Sequence, residues 1–351
     1  MTIDKLKEEA KSLPLLPGVY LMKDKDDYII YVGKSKHLKN RVSSYFGSLK
    51  NAKQKVKRMV ANVDHFTIQV TDTELEALLL ECGLIKRYKP IYNRLLKNDK
   101  KYRYIKVDVE SKLGTVHGVY NKGKEGVFFG PYDKSSDLLL AVEGLREYYK
   151  LPNCNKIDDY NSCITYQFGK CIGHCDNTKI PLHDSLIDKI ISFLDGRSDE
   201  PIKAYEKAMN EAAVEMNFDK AIKYRDYLYA LRRLGYKQEA ITFSLANRRG
   251  IALLECPKGG HKLFLLAGTT IIQSMYIKDI TNSNVYNKCI DFVREYLNNE
   301  FEPQSSIEKT KVDSHLIVYS YLIINMNDNY RQIDKATDIN YLVKELLKIY
   351  A

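Results

Sequence analysis

The chain has 351 residues, a hydrophobic fraction of 44% and a formal net charge of +10. This length predicts two or three domains with a sizeable core, and the basic balance favours a polyanionic partner such as nucleic acid or acidic lipid. No apolar run reaches the roughly 18 residues of a membrane span, and the charged N-terminus lacks the apolar core of an export signal. A cytoplasmic protein is therefore expected.

A β-hairpin followed by a basic helical segment is predicted near the N-terminus, after a short helix over residues 1–12. GVYLM and YIIYV are β-branched and aromatic runs separated by the charged turn KDKDD, so residues 16–32 are predicted as two antiparallel strands. Residues 35–62 are predicted to be helical, with Ser35 as the N-cap. The apolar residues of the predicted buried face are Leu38, Val42, Tyr45 and Phe46.

Strands and helices continue along the chain. The next predicted elements are a strand over 63–72, a helix over 74–90, a strand over 102–109, a new segment at 126–132, and helices over 135–149 and 181–196. Residues 201–235 are predicted as a helical hairpin that Asp219 caps and Gly235 closes. In residues 237–351, AITFSL, GIALLEC and HKLFLLAG are predicted strands, and CIDFVREYLNN and INYLVKELLKIY are predicted helices.

Residues 86–106 are strongly basic, with nine Lys or Arg against one acid, Asp99. Basic side chains release counterions from phosphates and aromatic rings stack on bases, so this pattern predicts a nucleic-acid surface; the alternative is a solvated face. The basic residues predicted to contact DNA are Lys86, Arg87, Lys89, Arg94, Lys97, Lys100, Lys101 and Arg103. The interleaved aromatic residues are Tyr88, Tyr92, Tyr102 and Tyr104.

The cysteines fall into one cluster and three isolated positions. An odd total of seven favours reduced thiols in a cytosol over a disulfide framework. Four thiolates in a short loop can ligate zinc or an iron–sulfur cluster, and the spacing of this cluster matches no paired-CxxC zinc ribbon. Its members are Cys154, Cys163, Cys171 and Cys175, with His174 as a weaker alternative ligand. The residues expected to be small buried hydrophobes are Cys82, Cys256 and Cys289.

Glu81 follows a run of three leucines, so it is predicted to lie near a buried helix face. A carboxylate there is costly unless it is paired or bound to a metal; the alternative is an ordinary surface glutamate. Asn93 follows Pro90 in a loop and carries no meaning by itself.

Taken together, these residues resemble the GIY-YIG nuclease family, and the match is close to its UvrC branch, the UvrC-type excinucleases. The residues that carry the resemblance are Gly18-Val19-Tyr20, Tyr31-Val32-Gly33, Lys34, Arg41, Tyr45, Glu81 and Asn93. Val19 and Val32 stand where the family more often has Ile. The resemblance implies an α/β (α+β) nuclease domain with a small antiparallel sheet flanked by helices.

The resemblance also implies the chemistry of the site. Tyr20 and Tyr31 would lie on adjacent strands beside the scissile phosphate, with Tyr31, alone or with Tyr20, activating or orienting the attacking water. Because the free pKa of tyrosine is about 10, a tyrosine base would need its pKa lowered by Lys34, Arg41 and a metal-bound water. Glu81 would be the single protein ligand for one Mg²⁺ or Mn²⁺ ion.

The remaining matched residues would support the phosphate and the DNA. Lys34 and Arg41 would neutralise the phosphate charge, as phosphodiester hydrolysis requires. Tyr45 and Asn93 would support the site and the bound DNA. The resemblance implies products with a 3′-hydroxyl and a 5′-phosphate.

The resemblance continues beyond the nuclease motif. For the four-cysteine cluster it implies a [4Fe–4S] cluster, with zinc as the alternative. Residues 205–234 resemble the UVR motif, the hairpin through which UvrC meets UvrB; the alternative is a hairpin that packs on its own chain. The partner-binding residues implied are Glu206, Met216, Phe218, Tyr224 and Arg225.

Four regions are predicted from these patterns. They are a nuclease domain over 12–98, a linker with the cysteine cluster over 99–180, a helical region over 181–236 containing the hairpin at 201–235, and a mixed α/β region of unknown role over 237–351. Asp313 and His315 lack the ordered carboxylate partners that a second, two-metal site requires.

The chain therefore resembles a short, Cho-like UvrC form with one active site. The expected activity is incision of damaged double-stranded DNA on the 3′ side of a lesion, dependent on a UvrB-like helicase. The alternatives are a DNA-binding adaptor without activity, or a GIY-YIG nuclease that acts on other DNA structures.

Overall fold

The structure is a computed structural model. It describes residues 2–47, 52–97, 101–109, 115–133, 135–151, 164–171, 173, 180–281, 283–334 and 337–350. The chain forms two compact units. One combines residues 1–98 with 243–351, and the other comprises residues 99–242.

The N-terminal part of the first unit contains a three-stranded antiparallel sheet between helices. Its elements are α1 (Ile3–Ser12), β1 (Gly18–Lys23), β2 (Ile29–Ser35), α2 (Leu38–Tyr45), α3 (Gln54–Ala61), β3 (His65–Val70) and α4 (Glu74–Tyr88). The strand order is β2-β1-β3, so β2 is an edge strand. The predicted hairpin and sheet are confirmed.

The two faces of this sheet bury different side chains. On one face, Tyr20 packs with the buried residues of α2, among them Leu38 and Val42. On the other face, Val19 and Val32 pack against Ala77 of α4 and its neighbours. This alternation of side chains along the strands places the helices on opposite sides of the sheet.

The predicted N-cap at Ser35 is wrong. Strand β2 runs through Ser35, and α2 begins at Leu38. The Ser35 hydroxyl instead closes a turn, because it accepts a hydrogen bond from the His37 backbone N–H at 3.0 Å and donates to the His37 carbonyl at 2.8 Å. Within the predicted helical segment, α2 and α3 are separate helices.

Helix α4 has defined ends, and these fix the position of Glu81 along it. At its start, Thr73 and Glu76 form a reciprocal capping box with bonds of 3.3 and 3.0 Å. At its end, Lys89 adopts a left-handed conformation immediately before Pro90. The predicted helix, which ends before Pro90, is confirmed and spans Glu74–Tyr88.

The second unit contains another small antiparallel sheet and a set of helices. Its elements are β4 (Arg103–Val107), β5 (Val116–Val119), β6 (Val127–Tyr132), α5 (Ser135–Tyr148), α6 (Ile164–Gln167), α7 (Ile180–Leu194), α8 (Glu200–Val214) and α9 (Phe218–Ala246). The strand order is β5-β4-β6.

Helices α8 and α9 form the predicted hairpin, with Arg232 paired to Glu206 at 2.8 Å. Its predicted cap and its predicted end are both wrong. Asp219 lies within the first turn of α9, and the Asn217 side chain instead accepts a hydrogen bond from the Lys220 N–H at 3.2 Å.

Helix α9 continues through Gly235 to Ala246 and includes AITFSL, for which the sequence predicts a strand. Gly235 is an ordinary helical position, and a Cβ there would meet nothing within 4 Å. Apolar residues at helical spacing in this stretch outweigh the weak strand signal of a short apolar run.

The cysteine cluster lies mostly outside the described residues. Cys154, Cys163, Cys175 and His174 fall outside them, while Cys171 is buried. The prediction that Cys82, Cys256 and Cys289 are buried is confirmed. In the described part of the chain, no helix is long and apolar enough to cross a bilayer.

Residues 243–351 complete the first unit with a four-stranded antiparallel sheet. Its elements are β7 (Arg249–Glu255), β8 (His261–Ala267), β9 (Thr270–Ile277), α10 (Ser283–Leu297), α11 (Val312–Val318), a π-helix (Tyr319–Asn325), β10 (Tyr330–Gln332) and α12 (Ile339–Lys348). The strand order is β10-β7-β8-β9. Helices α10 and α12 pack on one face of this sheet.

The other face packs around Leu75 of α4, and ion pairs hold α4 on both sides of this contact. Near its start, Lys262 lies 2.8 Å from Asp72 and also pairs with Glu76. Near its end, Lys86 Nζ lies 2.8 Å from Asp313 Oδ2. The Lys86–Asp313 contact is an ion pair without an aligned hydrogen bond.

Asp313→Ala is expected to destabilise the protein by about 3 kcal/mol, because it leaves the largely buried ammonium of Lys86 without its acid. The two side chains are only 14% and 10% exposed. The double variant Lys86→Met/Asp313→Leu removes both charges and is expected to regain most of that loss. Urea unfolding of the three proteins measures both effects. A double variant as unstable as Asp313→Ala would contradict the expectation.

Candidate active site

Three tyrosine rings meet on one face of the first sheet. Tyr20 on β1 lies opposite Gly33 on β2, and Tyr31 lies two residues before Gly33, so both rings project from the same face. Tyr45 is on the buried face of α2, which packs on this side. The ring centroids lie 5.8, 6.1 and 6.2 Å apart, and the hydroxyls of Tyr20 and Tyr45 are 2.9 Å apart.

The two glycines of the motif permit close approach of neighbouring atoms. A Cβ at Gly33 would overlap the hydroxyl of Tyr20. A Cβ at Gly18 would overlap the carbonyl oxygen of Gln69 and the side chain of Leu38. A larger residue at either position would therefore displace the Tyr20 ring or separate β1 from β3.

Glu81 and Asn93 are fixed beside the tyrosines by the free edge of β2. The Val32 N–H donates to Asn93 Oδ1 at 3.0 Å, and Asn93 Nδ2 donates to the Val32 carbonyl at 2.8 Å. Two residues along, the Lys34 N–H donates to Glu81 Oε1 at 3.0 Å. These side chains take the place of a further strand at an edge that would otherwise be unpaired.

Asn93→Ala is expected to destabilise the protein by about 2–3 kcal/mol, because both polar backbone groups of fully buried Val32 lose a partner. Incision should fall as well, since the edge of β2 carries Tyr31. The matched control is Asn62→Ala, which removes side-chain bonds to Tyr92 and Arg58 at an exposed position and should cost less than about 1 kcal/mol. Equal losses in thermal unfolding of the two variants would contradict this prediction.

The hydroxyls of Tyr20 and Tyr31 are protonated at neutral pH. Burial, reinforced by repulsion from Tyr45, raises the pKa of Tyr20 and Tyr31 above the usual value of 10. Arg41 opposes the rise in the pKa of Tyr20 but makes a smaller contribution. Arg41 alone therefore does not lower the pKa of Tyr20 below its usual value, because desolvation outweighs its charge. The further effect of a metal-bound water on these tyrosines remains a prediction.

Glu81 fits the ligand of a single divalent cation. It is half-buried, and burial raises the pKa of its carboxyl above 4.5 against the opposing effect of Lys34 and Arg41. Among the described residues, the Lys34 N–H donates a hydrogen bond to Glu81 Oε1, and Glu81 Oε2 accepts none. A partly desolvated carboxylate with a spare oxygen suits Mg²⁺, which binds through one or two carboxylates and keeps several waters.

Lys34 contributes its backbone to Glu81 and its ammonium to a different carboxylate. Its Nζ lies 2.7 Å from Glu74 Oε1, and Lys36 Nζ lies 2.9 Å from Glu74 Oε2. Sequence reasoning missed Glu74, although it precedes Glu81 by two helical turns on the same face of α4. The contact of Lys34 with phosphate remains a prediction. It requires the Lys34 ammonium either to leave Glu74 or to bind Glu74 and the phosphate at the same time.

Arg41 faces a pocket of about 340 Å³ beside the tyrosines. Its guanidinium lies 5.0 Å from the centroid of the Tyr45 ring. Residues that line this pocket without having been predicted as site residues are Ser44, Ala52, Lys55, Val56 and Met59. Tyr92, predicted only as an interleaved aromatic, also lines it. The helical spacing of Lys55, Val56 and Met59 could have indicated one face of α3, but not which side of the sheet it covers.

The predicted DNA-binding residues have different environments. Arg87, Lys89 and Arg94 are exposed, Lys97 is half-buried, and Lys101 and Arg103 belong to the other unit. Lys100 lies outside the described residues. Lys86 is a correction, because its ammonium is paired with Asp313 and largely buried.

The interleaved tyrosines also differ in how exposed they are. Tyr102 and Tyr104 are buried in the second unit, so neither ring can stack on a base in this structure. Tyr88 is exposed under Arg87, and Tyr92 accepts a hydrogen bond from Asn62 at 2.6 Å. The charge pattern alone could not distinguish core tyrosines from surface ones.

The turn of the α8–α9 hairpin exposes apolar side chains. Met216 is 77% exposed and Phe218 is 64% exposed, with Val214 beside them in sequence. Glu206 is paired with Arg232, and the Tyr224 ring lies 5.4 Å from that of Tyr205. The last predicted partner-binding residue, Arg225, pairs with Asp226 at 2.7 Å. Adjacent exposed apolar residues are typical of an interaction site.

Comparison with known proteins gives matches along most of the chain. Family models match as a UvrC-like GIY-YIG domain over residues 16–94, a UvrC/Cho excinuclease middle domain over 102–193 and a UvrB/uvrC motif over 199–234. UvrABC system protein C of Acetivibrio thermocellus is 34% identical over 331 residues, which is 90% of this chain and 52% of the relative. That of Alkaliphilus oremlandii is 41% identical over 260 residues, covering 71% of this chain and 41% of the relative.

The chain spans about half the length of these curated relatives. Among solved structures, the GIY-YIG N-terminal endonuclease domain of UvrC from Thermotoga maritima, bound to its catalytic divalent cation magnesium, is 39% identical. That match covers 27% of this chain and 100% of the solved chain, with a TM-score of 0.24.

Proposed function

This chain belongs to the UvrC-type GIY-YIG endonuclease family, and from that premise we propose that it is a metal-dependent DNA endonuclease of nucleotide excision repair. It hydrolyses one phosphodiester bond on the 3′ side of a lesion, on DNA presented by a UvrB-like helicase. The observation that carries the proposal is that Tyr31, Tyr45 and Arg41 line one pocket, with the Tyr20 ring beside both tyrosines and the Glu81 carboxylate close enough for its charge to act on Tyr31.

The cation chemistry of the proposed site rests on Glu81. A bound Mg²⁺ or Mn²⁺ ion would stabilise the negative charge that develops on the phosphate oxygens. Glu81 Oε2 would hold it, because Oε1 is occupied by the Lys34 N–H. The raised pKa of the carboxyl means that a proton competes with the cation for this oxygen as the pH falls.

The tyrosines act in the proposal as neutral phenols. Tyr31 accepts a hydrogen bond from the attacking water and orients it toward phosphorus, while its own proton remains on the phenol oxygen. The P–O3′ bond breaks as the water oxygen bonds to phosphorus; solvent takes the proton of the attacking water and supplies one to the leaving 3′ oxygen. Tyr20 and Tyr45, joined through their hydroxyls, hold that ring in place. Arg41 stays protonated and neutralises a non-bridging oxygen of the phosphate.

The second unit contributes partner and cofactor sites to the proposal. The exposed Met216 and Phe218 at the turn of the hairpin would enter an apolar groove of the UvrB-like partner. A [4Fe–4S] cluster, or alternatively zinc, would bind the four cysteines. Cys171 suits a ligand because it is buried and its sulfur accepts a hydrogen bond from the Gly173 N–H at 3.4 Å.

The test is incision of a duplex with one defined lesion, end-labelled on the damaged strand, with Mg²⁺ and with a UvrB-type partner present or absent. A single cut on the 3′ side of the lesion, lost in Glu81→Ala and Tyr31→Phe, is the expected result. Binding of DNA or partner without incision under any divalent metal would favour the adaptor. Cutting of branched DNA in preference to damaged DNA would favour a nuclease that acts on other DNA structures.

A further inference from the structure

A group of cations that pair with no carboxylate among the described residues lies at and near the pocket beside the tyrosines. Lys55, in the first turn of α3, lines the pocket with Arg41. Arg94 and Lys97 lie close enough to Lys55 that their charges, together with burial, lower its pKa. Within the described part of the chain, none of these four side chains has an ion pair with a carboxylate. Like charges gathered in this way favour binding of an anion.

Other lysines of the first unit, which do have acidic partners, provide the contrast. Lys34 and Lys36 are paired with Glu74, and Lys86 is paired with Asp313. Each of these ammonium groups therefore already has a carboxylate partner, which Lys34 and Lys36 share. Lys55 and its neighbours differ because their repulsion would be relieved only by a ligand, and a phosphodiester backbone supplies repeated negative charge.

The pocket also has room for more than one phosphate. Its lining includes Arg41, Tyr31 and Tyr45 together with Lys55 and Tyr92. A phosphate held by Arg41 next to the tyrosines leaves the rest of a volume of about 340 Å³ for the strand that continues from it.

We infer that Lys55, supported by Arg94 and Lys97, binds the backbone phosphate next to the scissile one and so forms a second phosphate subsite. The inference rests on the proposed function, because it names the part of the substrate that this side of the site would take. Lys55 is a positioning residue, and the contact involves charge alone, with no dependence on base sequence.

The test compares Lys55→Met with Lys53→Met. Lys53 immediately precedes α3 and is exposed outside the pocket, so it controls for loss of one charge nearby. Lys55→Met should raise KM for the duplex roughly tenfold while changing kcat far less, as expected for loss of one charged hydrogen bond in binding. The slope of log K against log salt should fall by about 0.9, the value for one phosphate contact.

Uncharged methylphosphonates, placed one at a time at the phosphates flanking the cut, identify the contact. At one position the substitution should weaken binding to the wild type and to Lys53→Met but cause no further loss in Lys55→Met. Binding is measured in a Glu81→Gln background, so that cleavage does not interfere. Thermal unfolding of the lysine variants confirms that each is folded.

The outcomes of these experiments distinguish failure of the proposed subsite from failure of the proposed function. A wild type that incises, with Lys55→Met matching Lys53→Met in KM and salt slope, would overturn the subsite and leave the proposed function standing. A wild type that never incises would overturn the proposed function. The binding measurements then still decide the subsite, because equal affinities of the two variants overturn it and weaker binding by Lys55→Met supports it.

Discussion

Glu81→Gln is expected to reduce incision by about 10³-fold, because a divalent cation contributes several kcal/mol to the stabilisation of charge in the transition state. The amide keeps an oxygen that can accept from the Lys34 N–H, so the edge of β2 should remain intact. What it loses is the negative charge that would hold the cation. Incision rates at saturating Mg²⁺ measure the effect.

The same substitution should stabilise the metal-free protein at neutral pH. Burial raises the pKa of Glu81 above 4.5, so its contribution to stability is present below the unfolded pKa and is lost as the pH rises through the folded pKa. Gln has no proton to lose, and the advantage of the variant should disappear at acid pH. Added Mg²⁺ should raise the unfolding temperature of the wild type and leave that of Glu81→Gln unchanged.

Glu8→Gln is the matched control, since Glu8 is an exposed glutamate on α1. It should retain wild-type incision and the wild-type response to Mg²⁺. If Glu81→Gln incised within tenfold of the wild type, or were stabilised by Mg²⁺ to the same extent, Glu81 would not be the cation ligand.

The residues of this site could be predicted because neighbouring atoms come so close together that few residue types fit at each position. Gly33 must be small since the Tyr20 hydroxyl occupies the space of its side chain, and this constraint is visible as a motif. Glu81 and Asn93 could be matched by the same resemblance. Their structural reason, the free edge of β2, appears only when the strand order is known.

Other features depend on long-range packing that no local pattern encodes. Lys86 belongs to a basic run, yet Asp313, more than 200 residues away in sequence, removes it from the surface. In the sequence, Tyr102 and Tyr104 cannot be distinguished from their exposed neighbours. They are buried in the structure, where β4 pairs with a strand on each side. Lys55 lines the pocket because the fold places α3 beside the tyrosines, and its sequence position alone does not indicate this.

Residues 243–351 acquire a structural role from the same kind of contact. Their sheet packs on the opposite side of α4 from the β2-β1-β3 sheet, around Leu75. Lys262 and Asp313 hold that helix near its two ends. The helix that presents Glu81 is therefore supported from both sides, and the position of the carboxylate depends on residues far from the motif.

Tyr31→Phe is expected to lower incision by about 10²-fold while leaving the stability of the protein nearly unchanged, because it removes one hydroxyl and keeps the buried ring. Even at the free pKa of about 10, only about one tyrosine in 10³ is ionised at pH 7, and burial of Tyr31 makes the phenolate rarer. A neutral phenol that orients water and a phenolate that removes its proton therefore predict different pH dependences.

If Tyr31 orients the water, the wild type and Tyr31→Phe should show parallel pH–rate profiles, separated by a constant factor between pH 6 and 9. A shared decline toward acid pH is expected in both, because protonation of Glu81, whose pKa burial raises, displaces the cation. If Tyr31 were the base, the wild-type rate would climb with pH at the alkaline end, and Tyr31→Phe would lose that climb. Tyr28→Phe is the matched control, because Tyr28 is exposed in the hairpin turn and should leave rate and profile unchanged.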